Sequence, residues 1–170
     1  KLQDRISIKA SFEFLQQLDN YIKHITTTYF TSEDMTIHGY PIPAWFMQER
    51  FLYYKNMPIQ NRLAKIVNDL ESNIGVYYHY DVTPDERAKI KSDIKKMFKI
   101  RTLRGLYKDF YQWWGKPELC KLMKGSVYEY ADVFPLLYLK SCCSGLKQFE
   151  QVKHLLIDEM QDYSPVKYDV

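Results

Sequence analysis

Apolar residues recur at three- and four-residue steps along most of this sequence, which is the spacing of an amphipathic helix. The clearest case follows Pro58, where the spaced apolar positions are Ile59, Leu63, Ile66, Val67, Leu70 and Ile74. Six glycines in 170 residues are few for a sheet protein with many tight turns. The pattern therefore predicts a mainly α-helical chain, long enough to bury a core of its own.

Local signals divide the helical part into elements. Helices are predicted over 11–29, 44–54, 58–80, 103–114 and 128–143, and Thr83–Glu86, "TPDE", is a capping box that opens another. Two short stretches predict β structure instead. The alternation in "RISIK", residues 5–9, predicts a strand, and the residues on either side of Gly39 predict a small hairpin near 35–43.

The sequence changes character after Gly145. "VKHLLIDE", residues 152–159, is a short apolar run that ends in two acids and predicts a buried, parallel-type strand. "SPVKYDV" predicts the start of a helix with Ser164 as N-cap and Pro165 in the first position. A single parallel strand cannot satisfy its backbone groups by itself, so we expect its sheet partners to lie elsewhere in a longer protein.

This strand leads directly into "DEMQD", residues 158–162. A strand holds carboxylates rigidly at the carboxyl edge of a sheet, which is where ligands bind in α/β proteins. One carboxylate at that edge can help to hold Mg²⁺ against nucleotide phosphates, and the next can polarise an attacking water. An apolar strand followed by Asp-Glu resembles the Walker B arrangement of P-loop NTPases.

"DEMQD", together with the "YSP" that follows, resembles motif II of superfamily 1 helicases of the UvrD/Rep type, and in particular the helicase IV/HelD-like branch. "YEYADVFPLLYLKSCC" resembles the segment that leads into that motif, and "SFEFLQQLDNYI" resembles a helix of the same family more loosely. The resemblance implies a helical insertion subdomain over 1–128, with the hairpin in it. It also implies that 129–170 is a helix–strand–helix piece of a RecA-like α/β P-loop motor domain with one orphan strand.

The resemblance implies ATP and Mg²⁺ as cofactors. Asp158 would hold the metal, Glu159 would be the catalytic base, and Gln161 and Asp162 would couple nucleotide binding to neighbouring motor motifs. The expected catalytic set is therefore Glu159, Asp158 and Gln161, and the expected cofactor-binding set is Asp158 and Asp162. The sequence contains no G-x-x-x-x-G-K-[ST] loop. We therefore expect an internal fragment of a helicase that does not hydrolyse ATP on its own.

A basic run lies between Arg87 and Lys108, where Asp93 is the only acid. A basic groove with stacking aromatics holds single strands, which makes the run a candidate DNA-binding surface. The alternative is a charged helix face over an aromatic core, and we favour that interpretation for the aromatics of 107–114. The nucleic-acid candidates are Lys91, Lys95, Lys96, Lys99, Arg101 and Arg104.

The expected function is that of an ATP-dependent DNA helicase or translocase with 3′-to-5′ polarity, whose insertion contacts DNA. The alternative within the same branch is a HelD-like ATPase that binds RNA polymerase and releases it from nucleic acid, with the insertion as a protein-binding module. A third interpretation is a structural helical domain in which "DEMQD" is accidental. Three cysteines without a pairing pattern and no apolar run of membrane length predict a cytoplasmic protein. An unpaired strand edge would make any dimer of the fragment artificial.

Overall fold

The computed structural model describes residues 2–100, 102–122, 127–144 and 163–168, and these residues are mainly helical. The chain divides into two compact units. The inner unit is Ile25–Arg101, and the terminal unit combines Lys1–His24 with Thr102–Val170. The described helices are α1 Leu2–Lys9, α2 Phe12–Thr28, α3 Ala44–Tyr53, α4 Ile59–Tyr78, α5 Pro84–Lys96, α6 Leu103–Trp113, α7 Val133–Ser144 and α8 Pro165–Tyr168, with 3₁₀ turns at Pro117–Leu119 and Tyr130–Asp132.

A β-hairpin stands in the inner unit, in the region where the sequence predicts one. Strand β1, Met35–Ile37, pairs antiparallel with β2, Tyr40–Ile42. The two residues between the strands, His38 and Gly39, have φ angles of 48° and 83°. Two successive positive φ values are what a two-residue hairpin turn requires, because their twist matches that of the strands.

The inner unit is organised around the buried side chain of Arg62, which is 1% exposed. Its Nη1 donates to the carbonyl oxygen of Thr26 at 2.8 Å, and its Nη2 donates to the carbonyl oxygen of Lys55 at 2.7 Å. The Nε group donates to the carbonyl of Met57 at 3.0 Å. A helix leaves its last carbonyls unsatisfied, so this guanidinium completes the end of α2 and the loop after α3. The predicted apolar face of α4 is buried in the same unit, at Ile66, Val67, Leu70 and Ile74.

The terminal unit has an aromatic core supplied by α2 and α6. Phe14, Tyr21, Phe110 and Tyr111 are each 0% exposed. The rings of Phe14 and Phe110 meet edge to face, with their centroids 5.5 Å apart. The Tyr21 hydroxyl donates to a carboxylate oxygen of Asp109 at 2.7 Å, so the polar tip of this buried ring is satisfied.

The strand predicted over residues 5–9 is wrong, because these residues belong to helix α1. Arg5 and Lys9 both bond the carboxylate of Glu129. Residues four apart lie about 6 Å apart along a helix, against about 13 Å along a strand, so the helix brings both side chains readily to one carboxylate. The tertiary ion pairs therefore override an alternation that covers only five residues.

The other helix predictions are confirmed within the described residues. Pro135 falls in the first turn of α7, where its missing N–H removes no helical hydrogen bond. The mainly α class is confirmed, and the predicted strand over 152–159 lies outside the described residues.

Candidate nucleic-acid interface

The motif II residues Asp158, Glu159, Gln161 and Asp162 lie outside the described residues. Helix α7 precedes the motif and α8 follows it, as the sequence predicts. The roles of the four residues therefore stay predictions. The candidate DNA-contacting residues, by contrast, are largely described.

Helix α5 carries most of the basic run, and its start is fixed by local chemistry. The Thr83 hydroxyl accepts from the backbone N–H of Glu86, and the Glu86 carboxylate accepts from the backbone N–H of Thr83. The backbone bond to Thr83 and the Tyr80 hydroxyl hold the pKa of Glu86 at about 2. Ile90 and Ile94 on the inner face are buried. The capped start and the buried face together fix which side of α5 meets solvent.

The cations of this exposed side divide into paired and unpaired groups. Arg87 forms an ion pair with Glu71, and Lys96 pairs with Asp93 at 2.6 Å. The remaining lysines are exposed and form no ion pair among the described residues; they are Lys89, Lys91, Lys95 and Lys99. Like charges four residues apart on a helix repel each other, so Lys91 and Lys95 are placed together at a small cost in stability.

Lys91 and Lys95 line one cleft of about 300 Å³ in the inner unit, which we call the lysine cleft. Leu63, Phe98 and Ile100 give the cleft apolar lining, and the remaining lining residues are Tyr29 and Gln60. The Tyr29 hydroxyl donates to the carbonyl of Ile100, which fixes that ring at the cleft. Cations beside apolar and aromatic side chains suit a phosphate with an attached base or sugar.

The structure does not gather all six nucleic-acid candidates into one described site. Lys91, Lys95, Lys96 and Lys99 belong to the inner unit, Arg104 belongs to the terminal unit, and Arg101 lies outside the described residues. Arg104 and Lys108 line a different cleft of about 390 Å³, together with Gln112, Pro117, Cys120, Leu122 and Tyr128. Burial raises the pKa of the Cys120 thiol, so this cysteine is not an activated nucleophile.

The aromatics that follow the basic run form core, as the favoured interpretation predicts. Tyr107, Phe110 and Tyr111 are 0% exposed and cannot stack on bases. Trp113 is 40% exposed, and its ring stacks on that of His24 at 5.8 Å between centroids. These three buried rings therefore cannot contribute to a groove that binds single strands.

Sequence reasoning missed a buried ion network in the terminal unit. The Lys9 ammonium lies 3.0 Å from a carboxylate oxygen of Glu129 and 2.6 Å from one of Asp132. Arg5 bonds Glu129 as well, and the Tyr107 hydroxyl donates to Asp132 at 2.6 Å. The hydrogen bond from Arg5, reinforced by Lys9, lowers the pKa of Glu129 from 4.5 to about 2.

The charges of two cations and two carboxylates balance in this network, and each carboxylate has bonding partners. The role of the network is therefore structural. The available sequence signal is the acid pair three residues apart in "YEYAD", at the start of a helical segment. Glu129 and Asp132 form a capping box there. Among the described residues, no cluster of His, Cys, Asp and Glu side chains could hold a metal ion.

No protein-family model matches this chain, and neither a curated protein nor a solved structure matches it. None of the helices in the described ranges is long and apolar enough to cross a lipid bilayer. The motif in the sequence and the surfaces of the two units are therefore the features that bear on function.

Proposed function

We propose that this chain is part of an ATP-dependent DNA helicase or translocase of the superfamily 1 type. It would supply the Walker B carboxylates and a helical region that contacts DNA. The observation that carries the proposal is the sequence "LLIDEMQDYSP", residues 155–165, which follows helix α7 and runs into α8. On this proposal 129–170 is a piece of a RecA-like motor domain, and the phosphate-binding loop lies in another part of the polypeptide.

Two adjacent carboxylates suit Mg²⁺, which prefers oxygen ligands. When bound, Mg²⁺ with ATP supplies the electrostatic stabilisation of the transferred phosphoryl group. A carboxylate oxygen of Asp158 would hold the metal in place. A carboxylate oxygen of Glu159 would orient the attacking water and accept its proton. Gln161 and Asp162, two and three positions further on, would transmit the nucleotide state to neighbouring parts of the motor.

The unpaired lysines of the lysine cleft support the DNA-contacting role. Phosphate contacts supply most of the affinity for DNA without reading its sequence, which is what a translocating motor needs. Lys91 and Lys95 are exposed on a rigid helix and lack acidic partners among the described residues. An exposed unpaired cation pair favours DNA over RNA polymerase as the partner of this particular surface.

The motor part of the proposal is tested by Glu159→Gln in a polypeptide that contains both this chain and a phosphate-binding loop. Because a positioned base contributes about 10²–10⁴-fold, we expect Mg²⁺-dependent ATP hydrolysis to fall by about that factor while ATP still binds. Steady-state turnover and nucleotide titration measure the two quantities.

The matched control is Glu118→Gln, which removes an exposed carboxylate from the 3₁₀ turn at Pro117–Leu119. It should leave turnover unchanged. The 170-residue chain alone should not hydrolyse ATP. Wild-type turnover in the Glu159→Gln variant would remove the base role from this residue and with it the Walker B interpretation.

A further inference from the structure

The inner unit exposes an aromatic cleft that the proposed function does not use. It encloses about 410 Å³ between the hairpin, α3 and the end of α4. Trp45 is 65% exposed and Tyr77 is 73% exposed, although both are large side chains that usually pack inside or at interfaces. We call this the aromatic cleft; its other lining residues include Pro41, Pro43, Phe46, Glu49, Arg50, Asn73 and Tyr78.

The helical period places these rings on the surface. Met47 and Phe51 occupy the buried face of α3, so Trp45 lies away from the core. At the far wall, the ring of Tyr78 stacks on that of Tyr40 with centroids 4.0 Å apart and planes 14° apart. Rings fixed in this way lose little conformational entropy when a ligand docks on them. This wall of the cleft is therefore preorganised for binding.

The polar groups of the cleft are rich in hydrogen-bond donors. The guanidinium carbon of Arg50 lies 5.4 Å from the ring centroid of Phe46 and 5.5 Å from that of Tyr53. Arg50 Nη2 donates to a carboxylate oxygen of Glu49 at 3.5 Å, and the buried Nε has no hydrogen-bond partner among the described residues. The indole N–H of Trp45 and the amide of Asn73 add further donors along the walls. A matching occupant would present apolar rings together with unpaired carbonyl oxygens.

Two observations narrow the class of occupant. The charged residues that line the cleft are Glu49 and Arg50, which cancel, whereas nucleic-acid grooves are strongly positive. The hairpin edge at the cleft carries Pro41 and Pro43, which have no N–H with which to pair an added strand. The cleft therefore differs from the lysine cleft and does not suit strand addition.

We propose that the aromatic cleft docks a proline-rich, extended segment of a partner protein. A polyproline II segment makes no internal hydrogen bonds, so its carbonyls are available to the donors of the cleft. Its pyrrolidine rings would pack between Trp45 and Tyr77, which is how aromatic grooves take such segments. The Glu49 side chain is 58% exposed, and its carboxylate, which lies 3.5 Å from Arg50 Nη2, would also accept from a basic residue next to the prolines. This inference goes beyond the proposed function and does not depend on it.

The test is selection of a phage-displayed random peptide library on the 170-residue chain. The library is first depleted on the Trp45→Ala/Tyr77→Ala double variant, so that the retained peptides require the cleft. We expect the enriched peptides to share prolines at the spacing of a polyproline II helix, with a basic flank. Enrichment of peptides without proline, or no enrichment, would overturn the proposal.

A synthetic peptide from the selection then measures the contribution of each ring by fluorescence anisotropy. The dissociation constant should rise about tenfold or more in Trp45→Ala and in Tyr77→Ala, because central aromatics carry most of the energy of such contacts. Phe12→Ala is the matched control, since Phe12 is 78% exposed but lies on α2 in the terminal unit. It should leave binding within about twofold of wild type.

Circular dichroism confirms that the three variants keep the fold. Equal binding by the cleft variants and the wild type would contradict the proposal.

Labelled oligothymidine is the second arm of the experiment. If oligothymidine binds the chain and loses this binding in Trp45→Ala and Tyr77→Ala, the cleft is a base-stacking surface and the assignment to a proline-rich protein segment is wrong.

Discussion

Aromatic and basic residues take opposite roles at two places in the molecule. In the terminal unit Phe110 is completely buried, and Lys9 is enclosed by two carboxylates. In the inner unit Trp45 stands exposed, and Lys91 and Lys95 have no acidic partner among the described residues. Aromatic and basic composition alone therefore does not distinguish a core from an interface. Burial and pairing make that distinction, since an exposed ring or an unpaired cation cluster contributes little to folding.

The largest contrast should be found between the aromatics of the two units. Phe110→Ala removes a fully buried ring that contacts Phe14, Tyr21 and Tyr111, and should lower the free energy of unfolding by about 3–5 kcal/mol. Trp45→Ala removes an exposed ring and should change it by less than about 0.5 kcal/mol. Urea denaturation of both variants gives the two values. Similar losses in the free energy of unfolding would mean that Trp45 supports the fold, and would contradict the contrast between the two rings.

A similar contrast applies to the lysines. Lys9→Met leaves Glu129 and Asp132 with fewer partners in a buried site, so we expect a loss of about 3 kcal/mol in the free energy of unfolding. The matched control is Lys23→Met on α2, where the lysine is exposed, and its effect should be within about 0.5 kcal/mol. The same denaturation experiment measures both. An equally small effect at Lys9 would show that the ion network contributes little to folding.

A smaller effect should appear in the pH dependence of stability. The pKa of Glu129 is lowered from 4.5 to about 2 in the folded chain, so its ion pairs stabilise the fold above about pH 4.5. This contribution is lost as the pH falls from about 4.5 towards about 2, because the unfolded chain takes up the proton first. Glu129→Gln should therefore flatten the acid side of the stability curve. Thermal unfolding across this pH range measures the slope.

Glu118→Gln is the control for that titration, because Glu118 is exposed in a 3₁₀ turn. The acid side of its stability curve should match that of the wild type. An unchanged curve in Glu129→Gln would contradict the assignment of acid sensitivity to the ion network of the terminal unit.

Most of the helical architecture could be predicted from the sequence, because local rules dominate it. Helix α5 is the clearest example, since Thr83, Pro84 and Glu86 specify its first turn and Ile90 and Ile94 specify its buried face. The hairpin near Gly39 follows from turn chemistry in the same way. The apolar face of α4 follows from helical periodicity.

The remaining features of the fold could not be predicted, because they depend on contacts between residues far apart in the sequence. Helix α1 has a strand-like alternation, but Arg5 and Lys9 reach Glu129 across more than a hundred positions. No periodicity encodes such a pair. The burial of Arg62 could not be predicted for the same reason, because its hydrogen-bond acceptors are backbone carbonyls, which leave no pattern in the sequence. The exposure of Trp45 could not be predicted from the sequence for a related reason, since a large aromatic residue in a helix is normally assigned to the core.

The sequence predicts a DNA-contacting surface over the basic run, and the structure brings only some of its residues together. The basic run suggested six residues, and the structure brings Lys91 and Lys95 together in the lysine cleft while Lys96 pairs with Asp93. Arg104 belongs to the other unit. Pairing between side chains decides which cations remain available to phosphates. The Asp93–Lys96 pair follows from its helical spacing, whereas the Arg87–Glu71 pair joins two helices and has no local sequence signal.

The most direct test of this account is the binding of labelled single-stranded and forked DNA to the chain, followed by fluorescence anisotropy. We predict binding that weakens steeply with salt. Lys91→Glu/Lys95→Glu should reduce the affinity about tenfold or more, and should lower the slope of log K against log salt by about 1.4 for single strands, as the loss of two phosphate contacts requires.

The charge-matched control is Lys23→Glu/Lys140→Glu, which makes the same change in net charge at two exposed lysines of the terminal unit. This control should retain most of the affinity. Equal losses in both double variants, or no loss in Lys91→Glu/Lys95→Glu, would show that the lysine cleft does not bind DNA and would contradict the account.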